Sequence, residues 1–314
     1  MKALLPLDGI VTVLNTPFTG RDTIDTEGLR RNVALALDAG VAGFLVPAMA
    51  GEVDKLTQAE RDLMVATVVE TVRGRATVIG GASAKTASDR VAAARRVIDL
   101  GCDGVLASIP YENDDAYRKA VEKLDALRPG FLMLQDWDFG GGGLPLPLIV
   151  RLFDEVESFR CLKVEVVPAG VKYSAVIAAT AGRLHGSGGW AVMQMIEALD
   201  RGVHAFMPTG LHRVYTRIHA LYRADSRDEA RALFDRLLPV IAFSNQHLDI
   251  SIHFFKRLLH AQGVYATALV REPILPFDQY HERIARALIE YAMRLEEELA
   301  PTNRVVGGTR PLWP

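Results

Sequence analysis

The sequence alternates short apolar runs with longer segments of helical periodicity, and this unit of one run and one helical segment occurs eight times. The runs cover residues 9–15, 43–48, 76–81, 104–109, 131–136, 161–167, 183–187 and 204–209. Strands that are apolar on both faces and separated by helices favour a parallel sheet. With right-handed crossovers, eight such units close into a (β/α)8 TIM barrel, which is the α/β fold that we predict. A doubly wound open sheet is the alternative, and it is disfavoured because no G-x-G-x-x-G motif follows the first run.

The segments between and after the runs carry the signals of amphipathic helices. Thr57 and Glu60, for example, are spaced as an N-cap and the acidic residue of a capping box. After about residue 210 the pattern is helical only, with amphipathic segments at 227–245, 248–263 and 277–300. We therefore predict a barrel over residues 1–210, C-terminal helices packed on it over residues 211–300, and an extended tail over residues 301–314.

Charge and cysteine content narrow the class of protein. The 314 residues carry a net charge of −2 and no long basic block, so we expect no nucleic-acid partner and no anionic membrane partner. No apolar run approaches the roughly 18 residues of a membrane span, and no secretory leader is recognisable, so we expect a cytoplasmic protein. The two cysteines fall in apolar runs without Cys/His ligand spacing, and we predict no metal site.

One lysine occupies a place that charged residues rarely take. Lys163 lies inside the apolar run 161–167, whereas the other seven lysines fall on predicted helix surfaces, loops or element ends. Strand residues alternate between two faces, so Lys163 and Glu165 share the lumen face near the C-terminal end of their strand. This end of a barrel strand is where TIM-barrel enzymes carry their catalytic groups.

Two interpretations of Lys163 stay open at this point. Burial disfavours the ammonium form of a lysine, and a neutral amine attacks carbonyl carbons to form Schiff bases. The other interpretation is structural, because Glu165 can hold the ammonium in a buried ion pair that only fixes the packing of the barrel.

Several blocks of sequence together resemble one known family, the dihydrodipicolinate synthase / N-acetylneuraminate lyase family of class I aldolases and lyases. The blocks are "GIVTVLNTPF", "GVAGFLVPAMAGEVDKLTQAER", "GCDGVLASIPYEN" and the lysine strand, and their spacing matches over about residues 8–295. The resemblance implies a barrel lyase in which Lys163 forms a covalent imine with pyruvate or another 2-oxo acid, without any other cofactor. It also implies a small-molecule substrate and a homo-oligomer, either a tetramer or a dimer.

The chain departs from the family at positions that matter for the reaction. Met49 and Ala50 replace two threonines whose hydroxyls help to hold the keto-acid carboxylate and relay protons. Gln135 takes the place of the catalytic tyrosine and Asp136 that of the following asparagine, and the arginine that binds a dicarboxylate partner has no counterpart in residues 137–145. A glutamine forms hydrogen bonds but cannot shuttle a proton as a phenol can.

These departures favour a dehydratase or aldolase of sugar-acid breakdown over the lysine-biosynthetic reaction. The acid–base work then passes to Glu165, Asp136, Glu112 or Tyr111, and the shared lumen face makes Glu165 the first choice. We accordingly predict Lys163, Glu165, Gln135 and Tyr111 as catalytic residues. The alternative function is a catalytically degenerate barrel that binds a small carboxylate.

We predict Met49, Ala50, Asp136, Gly186 and His204 as substrate-binding residues, and a glycine-rich loop lies beside them in the sequence. Glycines 140–143 suit a flexible active-site loop better than a phosphate cradle, since the P-loop lysine is missing. Gly186 opens the stretch 186–190, whose backbone N–H groups either bind a carboxylate or only make a tight turn. His204 either faces the lumen or is an ordinary buried histidine.

Overall fold

The structure, a computed structural model, describes residues 2–300 except for the side chains of residues 190 and 191. The tail predicted over residues 301–314 therefore lies outside the described residues.

Eight parallel strands close into a barrel in chain order, with the first strand paired to the eighth. The strands are β1 (Gly9–Val13), β2 (Gly43–Val46), β3 (Thr77–Gly81), β4 (Gly104–Ser108), β5 (Leu132–Asp138), β6 (Phe159–Val166), β7 (His185–Gly188) and β8 (Ala205–Phe206). Each strand overlaps one of the eight predicted apolar runs. The predicted barrel is confirmed, and the open sheet is excluded because no strand edge is left unpaired in the barrel.

One helix follows each strand, and three more complete the described part of the chain. They are α1 (Thr26–Asp38), α2 (Gln58–Val72), α3 (Ala87–Asp99), α4 (Asp114–Asp125), α5 (Leu146–Glu155), α6 (Ala169–Ala179), α7 (Met195–Asp200), α8 (His212–Arg223), α9 (Arg227–Ser244), α10 (Leu248–Ala261) and α11 (Gln279–Glu298). The predicted cap of α2 is present: the Thr57 side chain accepts from the Glu60 N–H, and Glu60 accepts from the Thr57 N–H at 2.8 Å. Two N-terminal donors of the helix are satisfied in this way.

The strands bury side chains on both faces, which explains why their sequences are apolar throughout. One face fills the lumen with a separate apolar cluster that includes Val11, Ile79, Met133 and Cys161. The other face packs against the helices and forms a second, larger apolar cluster with them, to which Val164 of β6 belongs. The lower lumen is thus a packed core.

The C-terminal helices reach the mouth of the barrel. Helix α10 contacts the short 3₁₀ turn Met49–Gly51 that follows β2, and it also packs against α9 and α11. Helix α8 contacts both β1 and α9, so it links the barrel to this layer. Within residues 2–300, no helix combines the length and the apolar character needed to cross a lipid bilayer.

Candidate active site

A cavity of about 650 Å³ opens at the C-terminal mouth of the barrel. Side chains from β5 and β6 line it together with the turn after β2, the loop after β8 and the segment that joins α9 to α10. Its size falls in the range of small-molecule sites, which is roughly 300–1,000 Å³. Active sites of barrel enzymes occupy this end of the fold.

Lys163 and Glu165 lie side by side in this cavity as a buried pair. Nζ of Lys163 is 3.2 Å from Oε2 of Glu165, and the two residues are 7% and 8% exposed. Gln135 is paired with Lys163 across β5 and β6, and its amide nitrogen donates to the same Oε2 at 2.5 Å. The strand alternation places all three side chains towards the lumen, as the sequence predicts for Lys163 and Glu165.

Gly189 closes one side of this group at very short range. A Cβ atom at this position would lie 1.9 Å from Oε1 of Glu165 and 2.7 Å from Cε of Lys163. The backbone conformation of Gly189 is ordinary, with φ −82° and ψ −71°, so the close approach rather than the dihedral angles requires a glycine. Only a residue without a side chain leaves the carboxylate where it is.

Met49 and Ala50 line the cavity at the start of the 3₁₀ turn after β2. Their backbone N–H groups precede the first hydrogen bond of the turn, which the Gly51 N–H donates to the Ala48 carbonyl. The Asn15 amide nitrogen donates to the Ala50 carbonyl at 2.6 Å and fixes the turn. Backbone donors are therefore available where the resemblance implies threonine hydroxyls.

Asp136 is not brought to the cavity, although the sequence analysis placed it in the substrate site. It alternates with Gln135 and points to the helix layer, where it is 1% exposed. Its Oδ1 accepts from the Leu144 N–H at 2.7 Å, and its Oδ2 is 3.2 Å from Nζ of Lys172. Burial raises the pKa of this carboxyl against the opposing effect of these partners. Asp136 therefore anchors the glycine-rich loop that contains residues 140–143.

Gly186 and His204 also lie outside the cavity lining, near the other end of β7. The Gly186 N–H donates to Nδ1 of His204 at 3.1 Å, so this N–H group is already used within the protein. The His204 ring stacks on His185, with ring centroids 4.9 Å apart, and burial lowers the pKa of His204. His204 is partly buried and lies outside the cavity lining, so the structure favours a structural histidine over one that faces the substrate.

Tyr111 lies on the surface between β4 and α4, 46% exposed and outside the cavity lining. Its hydroxyl donates to Oδ1 of Asp114 at 2.9 Å, and this bond raises the pKa of the phenol. The neighbouring Glu112 is exposed as well. Within this chain, neither side chain reaches Lys163.

Lys256 corrects the expectation that all seven lysines other than Lys163 lie on helix surfaces, in loops or at element ends. It lies in α10 with 0% exposure, ion-paired to Glu52, and its Nζ is 4.2 Å from the centroid of the Phe18 ring. Burial lowers the pKa of Lys256 to about 8, although Glu52 opposes the shift. The prediction of a surface position was wrong because α10 is enclosed on nearly all sides, which its sequence does not reveal. Lys256 does not line the cavity.

Three hydroxyl-bearing residues on the C-terminal side of the cavity wall were missed by the sequence analysis. They are Thr209 after β8, Tyr215 in α8 and Ser251 in α10. No local motif marks them, because they converge only through the packing of the C-terminal layer on the barrel.

The cysteines and the metal-binding residue types offer no competing centre among the described residues. Both cysteines are free and buried, and burial raises the pKa of each thiol to about 12. Among residues 2–300, no three side chains of His, Cys, Asp or Glu are grouped as a metal ion would need.

The fold and this site together define a class: a (β/α)8 barrel with a buried lysine–carboxylate pair in an open cavity at its mouth. The model of the dihydrodipicolinate synthetase family matches residues 6–126. An L-2-keto-3-deoxyarabonate dehydratase from Azospirillum brasilense is 27% identical, over 92% of this chain and 94% of its own length. A 4-hydroxy-tetrahydrodipicolinate synthase from Xanthomonas campestris pv. campestris is 28% identical, over 93% of this chain and 97% of its own.

A solved structure supports the fold over the same length. The dihydrodipicolinate synthase from Rhodopseudomonas palustris superposes with a TM-score of 0.83 at 23% identity, covering 94% of this chain and all of that one. The chain is thus similar to the dihydrodipicolinate synthetase family over residues 6–126, and to these two relatives over nearly its whole length. Members of this family are lyases, which confirms the predicted enzyme class.

Proposed function

We propose that the protein is a Schiff-base lyase that removes water from a 2-oxo-3-deoxy sugar acid. The observation that carries the proposal is the contact of 3.2 Å between Nζ of Lys163 and Oε2 of Glu165 in the mouth cavity. The similarity to a 2-keto-3-deoxy sugar acid dehydratase over nearly the whole chain supports the choice of dehydration. The replacement of the family's tyrosine by Gln135 argues against the synthase reaction.

Imine formation needs a neutral amine and a group that moves protons. Glu165 accepts a proton from the Lys163 ammonium, and the free amine attacks the C2 carbonyl carbon of the substrate. The protonated Glu165 then gives the proton to the hydroxyl of the adduct, which leaves as water and yields the iminium. The lysine itself supplies the reactive group, so the proposal needs no separate cofactor.

Dehydration follows from the electron-withdrawing iminium. The Glu165 carboxylate takes a proton from C3, and the electron pair of that C–H bond forms the enamine. The enamine expels the C4 hydroxyl, which takes the proton from Glu165 and leaves as water. Another water molecule hydrolyses the imine and frees the amine. One carboxyl group serves every step because Oε2 is held beside the nitrogen while Oε1 has no hydrogen-bond partner among the described residues.

The substrate carboxylate requires donors near C2. The backbone N–H groups of Met49 and Ala50 are the candidates, since they line the cavity at the start of the turn. We assign no role to Tyr111 within one chain. The predicted homodimer or homotetramer, which stays a prediction, is tested by the mass of the native particle in light scattering.

Borohydride trapping tests the imine. Incubation with pyruvate and borohydride is expected to add one reduced pyruvate to the intact mass, located on Lys163 by peptide mapping. Lys163→Met is expected to abolish the adduct, while Lys119→Met, a change on the surface of α4, leaves it unchanged. Unmodified Lys163 across a panel of 2-oxo acids would refute the proposal.

Turnover separates the proposal from the alternative of a barrel that only binds a carboxylate. The substrate panel contains 2-oxo-3-deoxy acids of five and six carbons, with the dehydrated product measured by mass spectrometry. Stabilisation against thermal unfolding by these acids without any product would favour the alternative.

A further inference from the structure

We propose that the C-terminal layer of helices builds a subsite for an uncharged, hydroxylated end of the substrate. The subsite consists of the hydroxyl groups of Thr209, Tyr215 and Ser251. The inference rests on the proposed function for the orientation of the substrate, with its C2 atom at Lys163. It adds the residues that select the other end of the molecule.

The first observation is the charge of the cavity wall. Apart from Lys163 and Glu165, the cavity lining holds no arginine, lysine, aspartate or other glutamate among the described residues. His247 is the remaining titratable base of the lining, and its Nδ1 already accepts from the Asp249 N–H at 3.1 Å. A second carboxylate would enter this cavity without a cationic partner and would lose its hydration.

The second observation is a set of hydroxyl groups with unused hydrogen-bonding capacity. Tyr215 is 2% exposed, and Thr209 and Ser251 are each 9% exposed. All three line the cavity, and none of their side-chain oxygens has a hydrogen-bond partner among the described side chains and backbone, which leave out the side chains of residues 190 and 191. Buried hydroxyls without a partner are unfavourable, so such groups are expected to face water or a ligand.

The third observation is that these residues belong to one packed wall. A Cβ atom on Gly210 would lie 2.9 Å from the Phe255 ring, so the loop after β8 rests directly on α10. Ser251 and Phe255 are one turn apart in α10, and both line the cavity. Tyr215 lies in the first turn of α8. Three hydroxyls held by rigid elements can bind a polyol chain with little loss of side-chain entropy.

The cavity is also larger than the reacting carbons require. Its volume of about 650 Å³ leaves room beyond the three carbons of pyruvate. The wall of hydroxyls therefore favours a five- or six-carbon 2-oxo acid that ends in hydroxyl groups. It disfavours a 2-oxo dicarboxylate of the same length.

Calorimetry with two acids that lack the 2-oxo group, and therefore cannot form the imine, tests the subsite separately. The probes are a 2-hydroxy-3-deoxy pentonic acid, which has a hydroxylated end, and 2-hydroxyglutarate, which has a charged end. We expect the wild type to bind the first about tenfold more tightly. Tyr215→Phe, Thr209→Val and Ser251→Ala are each expected to weaken it by roughly two- to tenfold and to leave 2-hydroxyglutarate unchanged.

Tyr222→Phe is the matched control, because Tyr222 lies in the same helix and bonds Asp200 outside the cavity. Equal binding of the two acids by the wild type, or full affinity for the pentonic acid in all three variants, would overturn the subsite. Pyruvate trapping on Lys163, measured on the same samples, reports on the proposed function alone. If pyruvate were not trapped on Lys163 but the wild type still bound the pentonic acid more tightly than 2-hydroxyglutarate, the imine chemistry would be refuted and the subsite supported.

Discussion

The amide nitrogen of Gln135 lies 2.5 Å from Oε2 of Glu165, across two paired strands of the barrel. Gln135, which the resemblance predicts at the position of the family's tyrosine, therefore holds the carboxyl group that we propose for the acid–base work. An amide at this place donates a hydrogen bond and exchanges no proton. The arrangement keeps one oxygen of Glu165 beside Lys163 and turns the other towards Gly189.

Glu165→Gln is expected to separate imine formation from dehydration. The substitution keeps the size of the side chain and removes its ability to exchange protons, so turnover should fall by about 10²–10⁴-fold. Borohydride with pyruvate should still label Lys163, although more slowly, because the amine is retained. Single-turnover product formation and intact mass measure the two effects. Glu155→Gln, an exposed change at the end of α5, is the control. Wild-type turnover in Glu165→Gln would contradict the assignment.

The sequence predicts the barrel and the lysine face, and it fails where contacts depend on distant segments. The eight apolar runs and the alternation along β6 are local patterns, so they place the strands and turn Lys163 and Glu165 to the lumen. The same alternation along β5 turns Asp136 away from the cavity. Asp136 was assigned to the substrate site from its position in the resemblance, and that position does not reveal the face of the strand. Tyr215 and Lys256 could not be assigned, because their surroundings form only when α8 and α10 pack on the barrel.

Gly189→Ala is expected to disrupt the site through one methyl group. The added Cβ would overlap Oε1 of Glu165 at 1.9 Å and press on Cε of Lys163 at 2.7 Å. The carboxylate must move away, so we expect turnover to fall by at least about tenfold, with a smaller effect on thermal stability. Gly20→Ala is the control, since nothing lies within 4 Å of the added atom there. Equal activity of the two variants would show that Glu165 can move without consequence.

Asp136→Asn is expected to loosen the glycine-rich loop without preventing the imine. The change removes the charge that pairs with Lys172 at 3.2 Å, and Lys172 in turn donates to the Gly142 carbonyl at 2.7 Å. Loss of a buried ion pair of this kind costs up to about 3–5 kcal/mol of unfolding free energy. Proteolysis within residues 139–144 should become faster, whereas trapping of pyruvate on Lys163 should persist. Loss of trapping at full stability would instead place Asp136 in the chemistry.

The buried pair of Lys256 and Glu52 is expected to behave as a unit in urea denaturation. Lys256→Met leaves the Glu52 carboxylate buried without its main partner, and Glu52→Gln leaves the ammonium alone, so each should cost about 3–5 kcal/mol. The double variant should recover a large part of this loss, because it buries neither charge. Additive losses would show that the two side chains do not act together.

The pH dependence of this pair has a definite sign. Burial lowers the pKa of Lys256 to about 8 in the folded protein, whereas the unfolded chain keeps the ordinary lysine value near 10.4. Between these values the unfolded state binds more protons than the folded state, so the free energy of unfolding rises with pH by up to about 1.4 kcal/mol per unit. The stability of the wild type relative to the double variant should therefore increase from pH 8 to pH 10, because the double variant lacks this titration. Urea curves for both proteins at pH 7.5, 8.5 and 9.5 measure the difference, and a difference that stays constant would show that the Lys256 ammonium is not penalised by burial.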